Sequence, residues 1–200
     1  FIITVFINFF KTSIFFSEDI SAFVVYLVKY AFAFAKSHII WISTLHLNVN
    51  NCNSSEVWRG FRVARRGSPQ SLSLTENKKF VKIECSHDGY KRLAGSPVHK
   101  RVWEFNNGLI RISDSIEGKI KSAIANYFFH PSLSITKEGV NTLKIVLPTG
   151  DFLLLNVENG YPEIIKAHYS PEFGIRIPNQ CLQIELDEFK RATLSISGRF

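Results

Sequence analysis

The first fifty residues contain no glycine and no proline. All 11 Gly and all 7 Pro lie after residue 50, although average usage would place about six of them before it. The same fifty residues hold 9 of the 18 Phe. The chain also has no Met and starts at Phe1, which indicates a fragment, a processed product or a mis-assigned reading frame. We therefore predict two regions, divided near residue 46.

Several common site chemistries are missing as well. The three cysteines, Cys52, Cys85 and Cys181, are too few and too scattered for a disulfide framework, and no Cys-x-x-Cys pair is present for zinc. The sequence has no phosphate-binding Gly loop, no Gly-x-Ser-x-Gly elbow and no His-Glu-x-x-His helix. These absences argue against P-loop nucleotide hydrolases, α/β-hydrolases and zinc peptidases.

The overall composition suits a packed globular chain with a basic surface. Hydrophobic residues make up 46% and charged residues 20%, which argues against disorder. The net charge of +7 favours an acidic partner, which leaves nucleic acid, anionic lipid and acidic polysaccharide open.

Residues 1–46 are apolar runs interrupted by single charges. A membrane span needs about 20 predominantly apolar residues, and Lys29 interrupts the longer run, from Ser21 to Ala35. The start also lacks the basic region and cleavage site of a signal peptide. Three interpretations stay open: a membrane-associated segment, buried strands or helices, and sequence that is not native coding sequence.

Residues 47–200 read as β-structure. We expect strands at 57–63, 80–85, 120–129, 142–147, 152–157, 163–168, 181–186 and 192–197, and a hairpin over 101–116. Short strands at this spacing, with turn residues between them, predict an all-β fold, an antiparallel β-sandwich. The N-terminal segment is then an atypical hydrophobic addition of uncertain structure.

Asn107-Gly108 predicts a two-residue hairpin turn and so fixes a register. That register pairs Phe105 with Ile110 and Trp103 with Ile112 on one face, and Glu104 with Arg111 on the other. Arg101 falls opposite Asp114, beyond the aromatic residues. A slip by one residue would separate both the apolar and the charged partners.

The densest basic segment runs from Trp58 to Arg66. On one strand, Arg62 and Arg66 would project to the same face as Trp58, where a ring and two guanidinium groups can hold an acidic sugar. A solvated sheet face or a nucleic-acid backbone would suit the same residues. His87, in a polar turn, and His99, beside Lys100 and Arg101, are further candidates.

The order of these motifs resembles the C-terminal β-sandwich domain of the heparinase II/III family. The similarity covers about residues 50–190 and is carried, in sequence order, by Asn53-Ser-Ser-Glu-Val-Trp-Arg-Gly-Phe-Arg-Val-Ala-Arg-Arg66, Ser86-His-Asp-Gly-Tyr-Lys-Arg-Leu93, His99-Lys-Arg-Val-Trp-Glu-Phe105, Asp114, Phe129-His-Pro131 and Tyr169-Ser-Pro-Glu-Phe-Gly174.

The resemblance implies a polysaccharide lyase that cleaves uronic-acid-containing glycans, such as glycosaminoglycans, by β-elimination in the bacterial periplasm or cell envelope. It implies an N-terminal (α/α) toroid domain as partner, which carries the main base and acid and is missing here, so we expect no activity from this chain alone. The alternative is a non-catalytic module that binds acidic glycan or assists envelope polysaccharide assembly. The resemblance disfavours nucleic acid and leaves membrane contact open through residues 1–46.

For the site, the resemblance and the residues together predict substrate binding by Trp58, Arg62, Arg66, His87, His99 and Arg101. The full-length family carries a structural zinc, for which His46 is the candidate ligand. The remaining zinc ligands are largely absent, since no His-x-His-x-Asp stretch occurs in residues 1–45.

A frameshift near residues 44–50 would explain why a Gly- and Pro-free segment runs directly into a recognisable domain. On this hypothesis, sequencing of the locus should find an upstream frame that encodes the missing His-rich strand and a toroid. Homologues with the same hydrophobic start would contradict it.

Overall fold

The fold is built almost entirely from strands in which buried and exposed residues alternate. A computed structural model describes residues 40–47, 56–58, 62–64, 67–77, 80–106 and 108–198, of which the first three ranges are described for the backbone only. The strands are β1 (Ile40–Leu47), β2 (Glu56–Trp58), β3 (Arg62–Ala64), β4 (Pro69–Glu76), β5 (Phe80–His87), β6 (Val98–Asn106), β7 (Leu109–Glu117), β8 (Ala123–Phe129), β9 (Ser134–Lys137), β10 (Thr142–Val146), β11 (Phe152–Asn159), β12 (Tyr161–Tyr169), β13 (Ile177–Glu185) and β14 (Arg191–Ser197).

These strands form two principal antiparallel sheets. One sheet has eight strands in the order β4-β5-β6-β7-β14-β11-β10-β9, and the other has four in the order β1-β8-β13-β12. Strands β2 and β3 pair with each other in a small third sheet. The all-β sandwich predicted from the sequence is confirmed.

The core lies between the two principal sheets because each strand turns alternate side chains inward. It is formed by Ile110, Ile112, Leu155, Leu194 and Ile196 of the larger sheet, with Ala125, Tyr127, Phe129, Leu182 and Ile184 of the smaller one. The Gln180 side chain also joins the sheets, since it accepts a hydrogen bond from Ile135 N (2.9 Å) and donates one to Ile135 O (3.1 Å).

The predicted hairpin register is confirmed residue by residue. Strands β6 and β7 pair Phe105 with Ile110, Trp103 with Ile112, Glu104 with Arg111 and Arg101 with Asp114. Gly108 has a φ of 78°, the left-handed conformation that a two-residue hairpin turn requires.

The prediction of one strand over 57–63 is wrong. The chain reverses between β2 and β3, so Val57 lies opposite Val63 and Trp58 opposite Arg62. Apolar alternation is the same in both arrangements because the two valines stay in register, which is why the pattern could not reveal the reversal.

Strands β4 and β9 were not predicted, and for the region of β1 a buried strand was one of the three interpretations left open. Strand β1 pairs with β8, with Leu45 opposite Ala125, and it crosses the boundary that we predict at residue 46. The interpretations of residues 1–39 fall outside the described residues. Within the described part, no helix is of sufficient length and apolarity to cross a membrane.

Gly160 and Gly150 form a matched pair that separates the cost of a positive φ from the cost of a close backbone contact. Both have positive φ, 92° and 89°, but a Cβ on Gly160 would lie 2.6 Å from Glu185 O, whereas one on Gly150 meets nothing within 4 Å. We expect Gly150→Ala to cost about 1 kcal/mol of unfolding free energy, from φ strain alone. Gly160→Ala should cost more, about 2–4 kcal/mol, because backbone must move.

Urea unfolding of both variants measures the difference. Equal midpoints would show that the close approach to β13 does not restrain the turn between β11 and β12.

Candidate functional site

A backbone junction brings Gly67, the residue that follows the basic segment in the sequence, next to the turn after His87. A Cβ on Gly67 would lie 2.6 Å from Gly89 Cα, so only glycine allows this approach. Ser68 N donates to Asp88 Oδ1 (2.6 Å), and Asp88 N donates to Ser68 O (3.1 Å). Gly67 and Ser68, which follow the basic segment in the sequence, are therefore fixed beside the turn that follows β5.

The turn itself, residues 88–92, is held by its own hydrogen bonds. Gly89 N donates to His87 Nδ1 (3.3 Å), Lys91 N donates to Asp88 O (2.8 Å), and the Arg92 guanidinium donates to Gly89 O. The Tyr90 side chain is buried beside the His87 ring, which leaves Lys91 exposed.

A chain of hydrogen bonds runs from this turn into the core. His87 Nε2 lies 3.0 Å from His99 Nδ1, and His99 Nε2 lies 2.6 Å from Asp114 Oδ1. The β5–β6 register places His87 directly opposite His99, and Asp114 is the diagonal neighbour of His99 on β7. We call these three residues, with Arg101 and Tyr127, the buried relay.

Asp114 is the centre of the relay. Arg101 donates to both carboxylate oxygens, from Nε at 2.6 Å and from Nη2 at 2.8 Å. Tyr127 OH, from the opposite sheet, donates to Asp114 Oδ2 at 2.5 Å. With His99 the carboxylate has four donors, so a side chain that is only 1% exposed is fully satisfied.

The hydrogen bonds define the proton positions on both histidines. The Gly89 amide can only donate, so His87 Nδ1 accepts and the His87 proton lies on Nε2. His87 Nε2 then donates to His99 Nδ1, and the His99 proton lies on Nε2 and faces Asp114. Both rings are neutral, and each ring nitrogen has one partner.

The pKa values follow from burial and from the central ion pair. Burial, then the neighbouring His99 and Arg101, lowers the pKa of His87 to about 3. Burial also lowers the pKa of His99, against the opposing effect of Asp114. Burial alone would raise the pKa of Asp114, but the Arg101 charge and the hydrogen bonds outweigh it and hold that pKa well below its usual range. The relay therefore carries one balanced pair of charges at neutral pH.

The predicted site residues divide into two groups. His87, His99 and Arg101 come together in the buried relay, with His99 6% and Arg101 3% exposed. His87 bonds to His99, and His99 and Arg101 both bond to Asp114, and direct substrate contact by the three stays a prediction. Trp58 and Arg62 lie opposite each other in β2 and β3, while Arg66 is outside the described residues.

Sequence reasoning did not single out Tyr127, and it gave Asp114 no role in a site. The hairpin register did place Asp114 opposite Arg101. No local pattern pointed to Tyr127, because it reaches the relay from the other sheet.

The zinc that the resemblance implies finds no fitting ligand set among the residues whose side chains are described. Among residues with described side chains, no three His, Cys, Asp or Glu groups converge to hold a metal ion. The ring nitrogens of His87 and His99 and the carboxylate oxygens of Asp114 already make hydrogen bonds within the protein. His46 lies in β1 opposite Ile124, and its role as a ligand stays a prediction.

The sequence of this domain matches a known protein family. The protein-family model described as "Heparinase II/III-like, C-terminal" matches residues 43–197, a range that includes all of the buried relay. This chain belongs to the heparinase II/III-like family. Among curated proteins, no sequence is significantly similar to this heparinase II/III-like chain.

Solved structures of the family share the fold. Heparinase III, the BT4657 gene product, has a TM-score of 0.57 at 15% identity, and the match covers 77% of this chain and 23% of that one. Heparan sulfate lyase HepC from Pedobacter heparinus has a TM-score of 0.58 at 10% identity, covering 93% of this chain and 27% of HepC. The heparinase II/III-like chain thus spans about a quarter of the length of these proteins.

Removal of the Asp114 charge should strongly destabilise this domain. Asp114→Asn leaves the Arg101 guanidinium buried without its counter-charge, which we expect to cost about 3–5 kcal/mol of unfolding free energy. Glu158→Gln is the matched control, since Glu158 pairs with Arg111 at 3.0 Å on the exposed face, where such a pair contributes at most about 1 kcal/mol.

Urea unfolding followed by far-ultraviolet circular dichroism measures both changes. Similar losses for the two variants would mean that Asp114 does not organise the core.

Proposed function

We propose that this chain is the glycan-binding sandwich of a polysaccharide lyase that acts by β-elimination on uronic-acid polymers. One observation carries the proposal: in a domain of this family, the junction sets Gly67, the residue that follows the basic segment 58–66 in the sequence, against Gly89 of the turn that carries Lys91 and Arg92. Arginine and lysine near one another suit the carboxylate or sulfate groups of an acidic glycan. The name of the structural neighbour HepC, a heparan sulfate lyase, agrees with this substrate class.

We further propose that the chain has no lyase activity alone. β-Elimination needs a group that removes the proton next to the uronate carboxylate. His87 and His99 lie next to the turn that carries Lys91 and Arg92, and both ring nitrogens of each histidine already make hydrogen bonds. The base would therefore come from the toroid domain of a longer chain, and the neighbours, about four times longer, have room for it. We place the protein in the periplasm or cell envelope of a bacterium.

A second candidate shares the binding step but not the chemistry. A module that only binds acidic glycan, for example in envelope polysaccharide assembly, is favoured by the same saturated histidines. The unsaturated uronate product absorbs in the ultraviolet, so incubating the chain with a uronic-acid polymer and a separately supplied toroid domain distinguishes the two. Product formation supports the lyase, and binding without product supports the module.

Loss of the arginines should weaken glycan binding more than loss of equal charge elsewhere. We expect Arg62→Ala with Arg66→Ala to reduce retention on an immobilised non-sulfated uronic-acid polymer by about tenfold, which corresponds to about 1.4 kcal/mol. Lys78→Ala with Lys79→Ala removes the same charge from the chain between β4 and β5 and should have a smaller effect. Retention is measured at fixed ionic strength, because counterion release affects every polyanion.

Equal losses in the two double variants would mean that only net charge matters. Competition with DNA at matched charge provides the control for the remaining alternative. Displacement by DNA at lower concentration than by the uronic-acid polymer would identify a nucleic-acid binder.

A further inference from the structure

An additional proton on either histidine of the relay leads to a proton on His87 Nδ1, opposite the Gly89 amide. The hydrogen bonds of the relay all run in one direction, from Gly89 N to His87 Nδ1, from His87 Nε2 to His99 Nδ1, and from His99 Nε2 to Asp114 Oδ1. Asp114 already accepts four hydrogen bonds, with the rest coming from Arg101 and Tyr127. Its oxygens therefore offer no lone pair to a new proton.

A proton added to either ring produces the same conflict. On His87 it must occupy Nδ1, where it faces the Gly89 amide proton. On His99 it must occupy Nδ1, which forces the His87 proton from Nε2 to Nδ1 and again sets it against Gly89. Two donors then face each other across 3.3 Å, and this is the longest hydrogen bond of the relay.

We propose that the buried relay is an acid-sensitive latch, which holds the turn at residues 88–92 against the sandwich at neutral pH and releases it at Gly89 when the relay takes up a proton. The latched turn is fixed by neutral rings, and the released turn is one in which His87 is a solvated imidazolium. This goes beyond the proposed function, because it concerns how the turn is held rather than what binds there.

The charges around His87 favour this behaviour. From β6 it faces His99 and Arg101, from β7 it faces Asp114, and within its own turn it faces Asp88. Asp114 is already neutralised by Arg101, and Asp88 already accepts hydrogen bonds from Ser68 N and the Gln70 side chain (2.6 and 3.0 Å). Asp88 and Asp114 each favour a positive charge on His87, but burial and the neighbouring His99 and Arg101 outweigh them and keep the latched ring neutral. The Tyr90 ring of the same turn also lies against His87.

The direction of the pH effect follows from linkage. The pKa of His87 is about 3 in the latched state and about 6.5 when the ring is exposed. The latch is therefore fully formed above about pH 6.5 and weakens as the pH falls from that value towards 3. Between about pH 6 and pH 4 the released fraction should rise about tenfold per pH unit, as one proton is taken up.

Amide hydrogen exchange of Gly89 in the whole chain tests the latch. After correction for the intrinsic pH dependence of exchange, the protection factor of Gly89 should fall about tenfold per pH unit between about pH 6 and pH 4. In His87→Gln, which cannot titrate, this dependence should disappear. His168→Gln is the matched control, since His168 is exposed and bonded to Arg176, and it should behave as wild type.

A pH-independent protection factor in wild type, or a dependence that persists in His87→Gln, would overturn the latch. Ring-nitrogen NMR of the wild type decides the matter if the variant does not fold. At neutral pH both His87 and His99 should carry their proton on Nε2. An imidazolium, or a proton on Nδ1, in either ring would refute the proposal.

These measurements need no glycan, so they succeed or fail separately from the proposed function. If the chain shows the exchange profile but is not retained on a uronic-acid polymer, the latch is supported and the proposed glycan site is contradicted. If the chain is retained but shows no such profile, the glycan site is supported and the latch is contradicted.

Discussion

The ion pair between Asp114 and Arg101 is the constraint on which the relay, and through it the turn at residues 88–92, depends. Two opposite charges lie in the interior of the sandwich, where either charge without the other would strongly destabilise the fold. Their geometry leaves one carboxylate lone pair for Tyr127 and one for His99. The first bond ties the larger sheet to the smaller one, and the second extends the polar network towards the surface.

This arrangement explains why the histidines have a structural role here. A catalytic base needs a lone pair directed at the substrate and a pKa near the working pH. The lone pair of His87 accepts from the Gly89 amide, the lone pair of His99 accepts from His87 Nε2, and burial keeps both rings neutral. Their arrangement therefore holds the turn at residues 88–92 against the sandwich, and under the proposed function the base would come from another domain.

Local sequence was informative wherever neighbours in the chain are also neighbours in space. The β6–β7 hairpin was predicted to the residue, because Asn107-Gly108 fixes the register and the alternation of apolar residues fixes the face. Prediction from local sequence failed at residues 57–63, because two short strands with Val57 opposite Val63 give the same alternation of apolar residues as one long strand. Strand β4 was missed because all of its residues are exposed, so burial imposes no pattern on it.

The sequence by itself determined the all-β class, the family and the pairing of Arg101 with Asp114, because these depend on local alternation, on motif order and on one tight turn. Only the tertiary structure decided that this pair is buried and that Tyr127 donates to it. It also decided that the ring nitrogens of His87 and His99 all have hydrogen-bond partners within the protein. Each of these depends on a contact between residues that are distant in the chain or on the packing of one sheet against the other. The meeting of Gly67 with Gly89 is of the same kind, since no pattern in either segment records how closely the two backbones approach.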